Sequence, residues 1–179
     1  VAYMATFTSM SLEDAFAVQA EGLLSGGVDA VLIETCQDTL QIKAAVNGVK
    51  RIRADFPAFV QVTVETTGTL LVGADIAAAA TAIQALDVPL IGLNCATGPQ
   101  EMAEHVKWLS QNWPGLLSVQ PNAGLPELVD GKTHYPLSPQ DLAKWLERFI
   151  REDGINLVGG CCGTTPSHIQ AVDAMLRGL

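Results

Sequence analysis

The sequence predicts an α/β fold built on parallel strands, and three observations carry that prediction. Short β-branched runs alternate with longer amphipathic segments along the chain, the pattern of strands joined by crossover helices. The strand-like runs are apolar nearly throughout, as a sheet covered by helices requires. Polar or reactive residues gather at the C-terminal end of every run: Glu34 and Thr35, Glu65 to Thr67, Asn94 and Cys95, Gln120 and Asn122, Cys161 and Cys162. An open doubly wound sheet concentrates its ligand groups at one switch point. A (β/α)8 barrel, the TIM barrel, builds its site from several strand ends, so the pattern favours the barrel. Such a barrel takes eight strands and about 250 residues. Only five strands are legible in these 179 residues, so the expectation is the C-terminal part of a barrel, about five β/α units.

The elements follow in order. Ser11 is a good N-cap with Asp14 three positions on, and Leu12, Phe16, Ala20, Leu23 and Leu24 form an apolar stripe that Gly26 and Gly27 end. The first strand is AVLIET at 30–35, and a helix over 39–53 carries Leu40, Ala44, Val46, Val49 and Ile52 near one face. FVQVTVE at 59–65 is the second strand and 75–86 the next helix. PLIGLN at 89–94 is the third strand, followed by a helix over 99–109. LLSVQP at 116–121 is the fourth strand, and 138–153 is the clearest helix. INLVGG at 155–160 is the fifth strand, and 165–176 closes the chain as a helix.

Composition narrows the function. The chain is one domain's worth, with 49% hydrophobic and 16% charged residues, a globular balance. A net charge of −9 with no basic stripe argues against nucleic acid. No apolar run reaches the roughly 20 residues that span a bilayer, so no membrane partner is expected. The N-terminal run VAYMATFTSMSLED lacks the features of a secretory signal, and the cysteine usage points to the cytoplasm. The chain opens on Val1 rather than methionine, which fits a processed chain or one cut from something longer.

Cys161 and Cys162, adjacent in LVGGCCGTTPSHI, pair poorly with each other because the peptide between them holds the sulfurs off disulfide geometry. Cys95, in LIGLNCATGP, has the same setting of apolar strand and glycine-bearing turn. Three thiolates brought together suit a soft metal such as zinc and leave one tetrahedral position open. Two small buried residues at a strand end would account for the pair equally well.

The runs GLNCATGP at 92–99 and GGCCGTTPSHI at 159–169 resemble the homocysteine S-methyltransferase domain, most closely its cobalamin-dependent, methionine synthase branch. IETCQDTLQIKAAV, TVETTGTLLVGADI and VQPNAGLPE are similar to that domain in the same order. The resemblance covers essentially the whole chain. It implies a (β/α)8 barrel of which residues 1–179 hold strands four to eight. It implies zinc held by Cys95, Cys161 and Cys162, and Glu34 aimed at the amino group of homocysteine. Asn94 and Asn122 then meet the substrate or brace the loops. The implied reaction is methyl transfer from methylcobalamin to the homocysteine thiol, giving methionine, with no catalytic group beyond the zinc-activated substrate thiolate. The implied partners are homocysteine and the cobalamin- and folate-binding modules of a larger protein.

Two other readings stand beside this one. The donor changes to betaine, S-methylmethionine or S-adenosylmethionine, as in sister families, or the chain is a truncated, inactive zinc-binding module that needs a partner segment. The first three strands of the barrel, with a glycine-rich substrate segment, have no counterpart here. The exposed strand edges that follow predict self-association or a longer polypeptide. Cys36 is expected to be a buried bystander, and His168 to be structural.

Overall fold

The computed structural model describes residues 9–179, so Val1 and most of the N-terminal run read for a signal lie outside the described residues. The elements in chain order are α1 (Ser9–Ser25), β1 (Val31–Cys36), α2 (Thr39–Ile52), β2 (Ala58–Val62), α3 (Ile76–Gln84), β3 (Leu90–Asn94) and α4 (Pro99–Asn112). Then come β4 (Leu116–Gln120), β5 (Glu127–Val129), β6 (Lys132–His134), α5 (Pro139–Asp153), β7 (Leu157–Val158) and α6 (Pro166–Leu176). No described helix is long and apolar enough to cross a membrane.

Local chemistry explains the boundaries. Asp38 caps α2 by accepting from Leu40 N, Asp75 caps α3 by accepting from Ala78 N, and Ser138 caps α5 by accepting from Asp141 N. Gly154 closes α5 in the left-handed conformation at φ 69°. At the start of α6, Thr165 and His168 bond reciprocally as a capping box. The expected cap at Ser11 is not observed: α1 already runs from Ser9, which places Ser11 inside the helix.

The main sheet is wholly parallel, in the order β1-β2-β3-β4-β7. The five main strands lie in sequence order without a reversal, and right-handed crossovers then keep all the helices on one face. This is the arrangement of consecutive units of a (β/α)8 barrel, with the switch point of an open sheet absent among the described strands. Ile33, Val60, Ile91 and Leu117 lie in one register row. They join Ile42, Ile83, Leu109 and Leu146 of the helices in a single buried core.

The opposite face of the sheet carries a polar row. Gln61, Gly92 and Ser118 are register partners, and Gln61 Nε2 donates to Ser118 Oγ at 2.9 Å across the intervening glycine. A Cβ on Gly92 would run into the Ser118 hydroxyl and carbonyl. Glycine there is a condition of the close approach.

Three segments differ from the sequence expectation. The second strand stops at Val62 because Glu65 and Gly68 turn back on themselves, with Glu65 N donating to Thr69 O and Gly68 N to Glu65 O. The fifth main strand is only Leu157–Val158, bonded to β4 alone among the described strands. The β5–β6 hairpin was not expected. Asp130 at φ 49° and Gly131 at φ 73° form its turn, and the Asp-Gly pair is the signal that reads it.

Candidate metal centre

The centre is built at the C-terminal edge of the sheet, where the loops after β3, β4 and β7 meet. Cys95 and Ala96 both hold left-handed backbone, φ 61° and 57°, which costs a non-glycine residue about 1–2 kcal/mol each. The surroundings hold that turn in place: Cys95 N donates to Gln120 O at 3.2 Å, and Thr97 N donates to Cys95 O at 2.7 Å. Asn122 N donates to Thr97 O at 3.0 Å, which ties the β3 and β4 loops together. Cys161 N donates to Pro121 O at 2.8 Å and Ala123 N to Cys162 O at 2.9 Å, tying the β4 and β7 loops.

These bonds bring the three expected cysteines together. Their sulfurs all lie within 4.8 Å of one another, with Cys95 to Cys162 at 3.7 Å and Cys161 to Cys162 at 4.0 Å. Tetrahedral sulfur ligands at about 2.3 Å from a metal stand about 3.8 Å apart, so the spacing fits a four-coordinate ion. Electrostatics agrees. The Cys161 thiol is pushed up to about 12, by burial first and then by Cys95 and Cys162 beside it. A cation in their midst would relieve that crowding of negative charge. Cys95 and Cys161 are half-buried and Cys162 is exposed, so ligand can reach the cluster.

The asparagines are fixed by the protein's own groups. Asn122 Oδ1 accepts from Cys162 N at 3.0 Å, which orients the paired-cysteine loop. Asn94 is fully buried, and its Oδ1 accepts from Thr35 N at 2.9 Å. Its Nδ2 donates to Thr35 Oγ1 at 2.9 Å and reaches Glu34 Oε2 at 3.5 Å. Glu34 is exposed at the end of β1, across the sheet from the cysteines and joined to the Cys95 turn through Asn94. Thr35 also holds a left-handed φ of 58°, at an irregularity in the β1–β2 register.

Cys36 does not join the cluster. It is 1% exposed in the core, and its thiol is pushed up to about 12 by burial and then by Glu34. His168 has both ring nitrogens engaged locally, with Nδ1 accepting from Thr165 N at 3.1 Å and Nε2 meeting Leu137 O at 2.9 Å. One neighbour of the centre escaped the sequence reading: Tyr135, after the β5–β6 hairpin, packs its ring on Gly163 beside Cys162. No spacing rule links Tyr135 to the cysteines, and only the fold brings it there.

The comparisons with known proteins agree with this architecture. The family model for homocysteine S-methyltransferase matches residues 2–176. The chain is 53% identical over 172 residues to a methionine synthase of Mycobacterium tuberculosis, covering 94% of this chain and 14% of that protein. It is 55% identical over 167 residues to the methionine synthase of Mycobacterium leprae, covering 91% of this chain and again 14% of the relative. The chain therefore spans about a seventh of these curated relatives. Among solved structures, the apo form of the homocysteine methyltransferase MmuM from Escherichia coli superposes with a TM-score of 0.76 at 23% identity, covering 97% of this chain and 59% of that one. The metallated form of the same enzyme gives 0.71 at 24% identity, covering 90% and 51%. At that identity the likeness speaks for the fold, a partial (β/α)8 barrel. On the family match, this chain belongs to the homocysteine S-methyltransferase family.

Proposed function

We propose that this domain, strands four to eight of a (β/α)8 barrel, holds zinc through Cys95, Cys161 and Cys162 and uses the remaining position to bind the thiol of homocysteine for methylation to methionine. The observation that carries the reading is the sulfur cluster itself: three sulfurs from two loops, at tetrahedral spacing, open on one side. When bound, the zinc supplies positive charge that favours the ionised, nucleophilic form of the substrate thiol.

The chain's own residues set the conditions. Three thiolates offset the charge of the ion, so a fourth sulfur stays electron-rich enough to attack carbon. Asn122 fixes the backbone of Cys162, and Asn94, at the end of β3 just before Cys95, ties that end to the end of β1 that carries Glu34. Glu34 is placed to pair with the substrate ammonium. The substrate sulfur forms a bond to the methyl carbon while the electron pair of the breaking bond stays with the donor. The donor is methylcobalamin on a separate module, a choice supported by the resemblance of residues 92–99 to the cobalamin-dependent branch. The methionine synthase names of the relatives at 53% and 55% identity fit the same product.

A second reading keeps the metal site but makes activity depend on a partner segment. The feature that favours it is β1, which has one neighbour among the described strands. A cavity beside β1 is walled by Phe16, Ala20, Leu23, Val31 and Val49. Such an edge pairs readily with another strand, from a longer polypeptide or from a second copy.

Metal analysis and homocysteine-dependent demethylation of methylcobalamin test both readings, on the wild-type chain and on Cys161→Ser. Stoichiometric zinc and turnover, both lost in Cys161→Ser, are expected from the first. Zinc without turnover leaves the second. No zinc in reduced protein overturns both.

A further inference from the structure

The turn that carries Cys95 is strained, and the peptide leading into it is clamped from both sides. Cys95 and Ala96 are consecutive left-handed residues, and strain of that kind persists only where the surroundings over-determine it. The rigid plane of the Asn94–Cys95 peptide sets the direction in which the Cys95 side chain leaves the backbone. Its N–H, on the β4 side, donates to Gln120 O at 3.2 Å. Its carbonyl, on the β2 side, accepts from Thr63 Oγ1 at 3.1 Å.

Thr63 follows the last residue of β2 and is 1% exposed. Its own N–H donates to Cys36 O at 2.9 Å, at the end of β1. One buried residue therefore joins the strand end that carries Glu34 to the peptide before the first cysteine of the cluster. Of the two clamps on that peptide, the hydroxyl is the one a substitution removes, because the other is backbone to backbone.

The loss of that clamp has a defined consequence. A peptide plane turns by coupled rotation about ψ of the residue before it and φ of the residue after it, here Asn94 and Cys95. Without the hydroxyl the buried carbonyl is left unsatisfied, which favours turning it toward another donor. The same rotation carries Cys95 toward negative φ and relieves its left-handed strain. The sulfur then leaves its place 3.7 Å from that of Cys162. An incoming ion must restore the turn before all three sulfurs reach it, and its affinity falls by the cost of doing so.

We propose that Thr63 is a positioning residue of the metal centre, its hydroxyl holding the Asn94–Cys95 peptide so that the Cys95 sulfur stays in place beside those of Cys161 and Cys162. The proposal rests on the metal-thiolate reading above and adds a residue that acts on the ion through Cys95.

The test titrates zinc and cobalt(II) into reduced, metal-free chain. Thr63→Val keeps the bulk of the side chain and removes the hydroxyl, whereas Thr63→Ser keeps the hydroxyl. Ser118→Ala removes another buried hydroxyl, bonded to Gln61 rather than to the Cys95 turn, and serves as the control for general loss of stability. Zinc affinity, read by competition with a chromogenic chelator, is expected to fall about tenfold in Thr63→Val and to stay within about twofold of wild type in Thr63→Ser and Ser118→Ala. Bound cobalt reports its ligand geometry through its d–d and sulfur-to-metal absorption bands. Those bands are expected to shift in Thr63→Val, to return in Thr63→Ser and to be unchanged in Ser118→Ala. Thr63→Ala, which leaves space rather than a methyl group, is expected to match Thr63→Val. Wild-type zinc affinity and cobalt bands in either folded variant that lacks the hydroxyl would overturn the proposal alone. Equal losses in Thr63→Val and Ser118→Ala would overturn it too, by showing a general loosening of the sheet. Failure of the wild-type chain to bind either metal would overturn the metal reading and this proposal together.

Discussion

Asn94→Ala is the substitution whose cost follows most directly from the geometry. The side chain is fully buried and makes two short hydrogen bonds, from Thr35 N and to Thr35 Oγ1, both 2.9 Å, with a longer contact to Glu34 Oε2 at 3.5 Å. Each neutral bond contributes about 1 kcal/mol, and leaving a part-buried amide without its acceptor costs about 1–2 kcal/mol more. Truncation should therefore destabilise by about 3–4 kcal/mol, a large share of the about 5–15 kcal/mol that holds an ordinary domain. Thr35 sits at φ 58°, so the freed residue also relaxes toward ordinary backbone and carries Glu34 with it. Urea unfolding followed by circular dichroism measures the change, and an unchanged slope would show that the unfolded reference is the same.

Asn94→Asp separates hydrogen bonding from charge. Its Oδ1 still accepts from Thr35 N, but a carboxylate oxygen then replaces the amide nitrogen that faces Glu34. Glu34 is exposed, so solvent screens most of the repulsion and about 1 kcal/mol remains. Like charge raises the carboxyl above its unfolded value, so the variant holds more protons when native and loses stability as pH rises through the carboxylate range. Asn94→Ala within about 0.5 kcal/mol of wild type would refute the accounting. An Asn94→Asp profile parallel to wild type between pH 4 and about 7 would refute the charge argument.

The other predictions concern the sheet and the thiols. Asn122→Ala removes the acceptor of Cys162 N–H and should lower zinc affinity about 10- to 100-fold by competition with a chromogenic chelator, while far-ultraviolet circular dichroism stays the same. Gly92→Ala drives a methyl group into the Ser118 hydroxyl and carbonyl and should cost about 3 kcal/mol in urea unfolding. Ser118→Gly in the same chain should restore only part of it, because the carbonyl stays. Cys36, pushed from 9.0 up to about 12, should react with iodoacetamide at pH 8 about a thousandfold more slowly than a free thiol, read by peptide mass spectrometry. The unfolded chain releases that proton near 9.0 and the native one near 12, so this group's contribution to stability declines as pH rises between them.

The sequence by itself determined the elements and the chemistry on offer. Strand-length apolar runs and polar groups at each strand end are short-range properties, set by a residue and its near neighbours, whereas the one cap expected, Ser11, lies inside α1. The adjacency of Cys161 and Cys162 already pointed to a metal rather than a disulfide. The Asp130-Gly131 hairpin is equally local, yet it was not among the expected elements. What only the tertiary structure decided is which strand ends share a space. Cys95 and Cys162 are 67 positions apart and 3.7 Å apart between sulfurs. That meeting depends on the sheet order β3-β4-β7 and on the Asn122 bonds that lace the loops. Asn94 ended a strand in either description, but its commitment to Thr35 and Glu34 requires β1 and β3 to flank β2 in register. Tyr135 comes to lie against Gly163, the residue after Cys162, because Gly163 leaves room for its ring and His168 bonds to Leu137 in its segment. Side-chain type and spacing are written along the chain, whereas proximity is a property of the packed sheet.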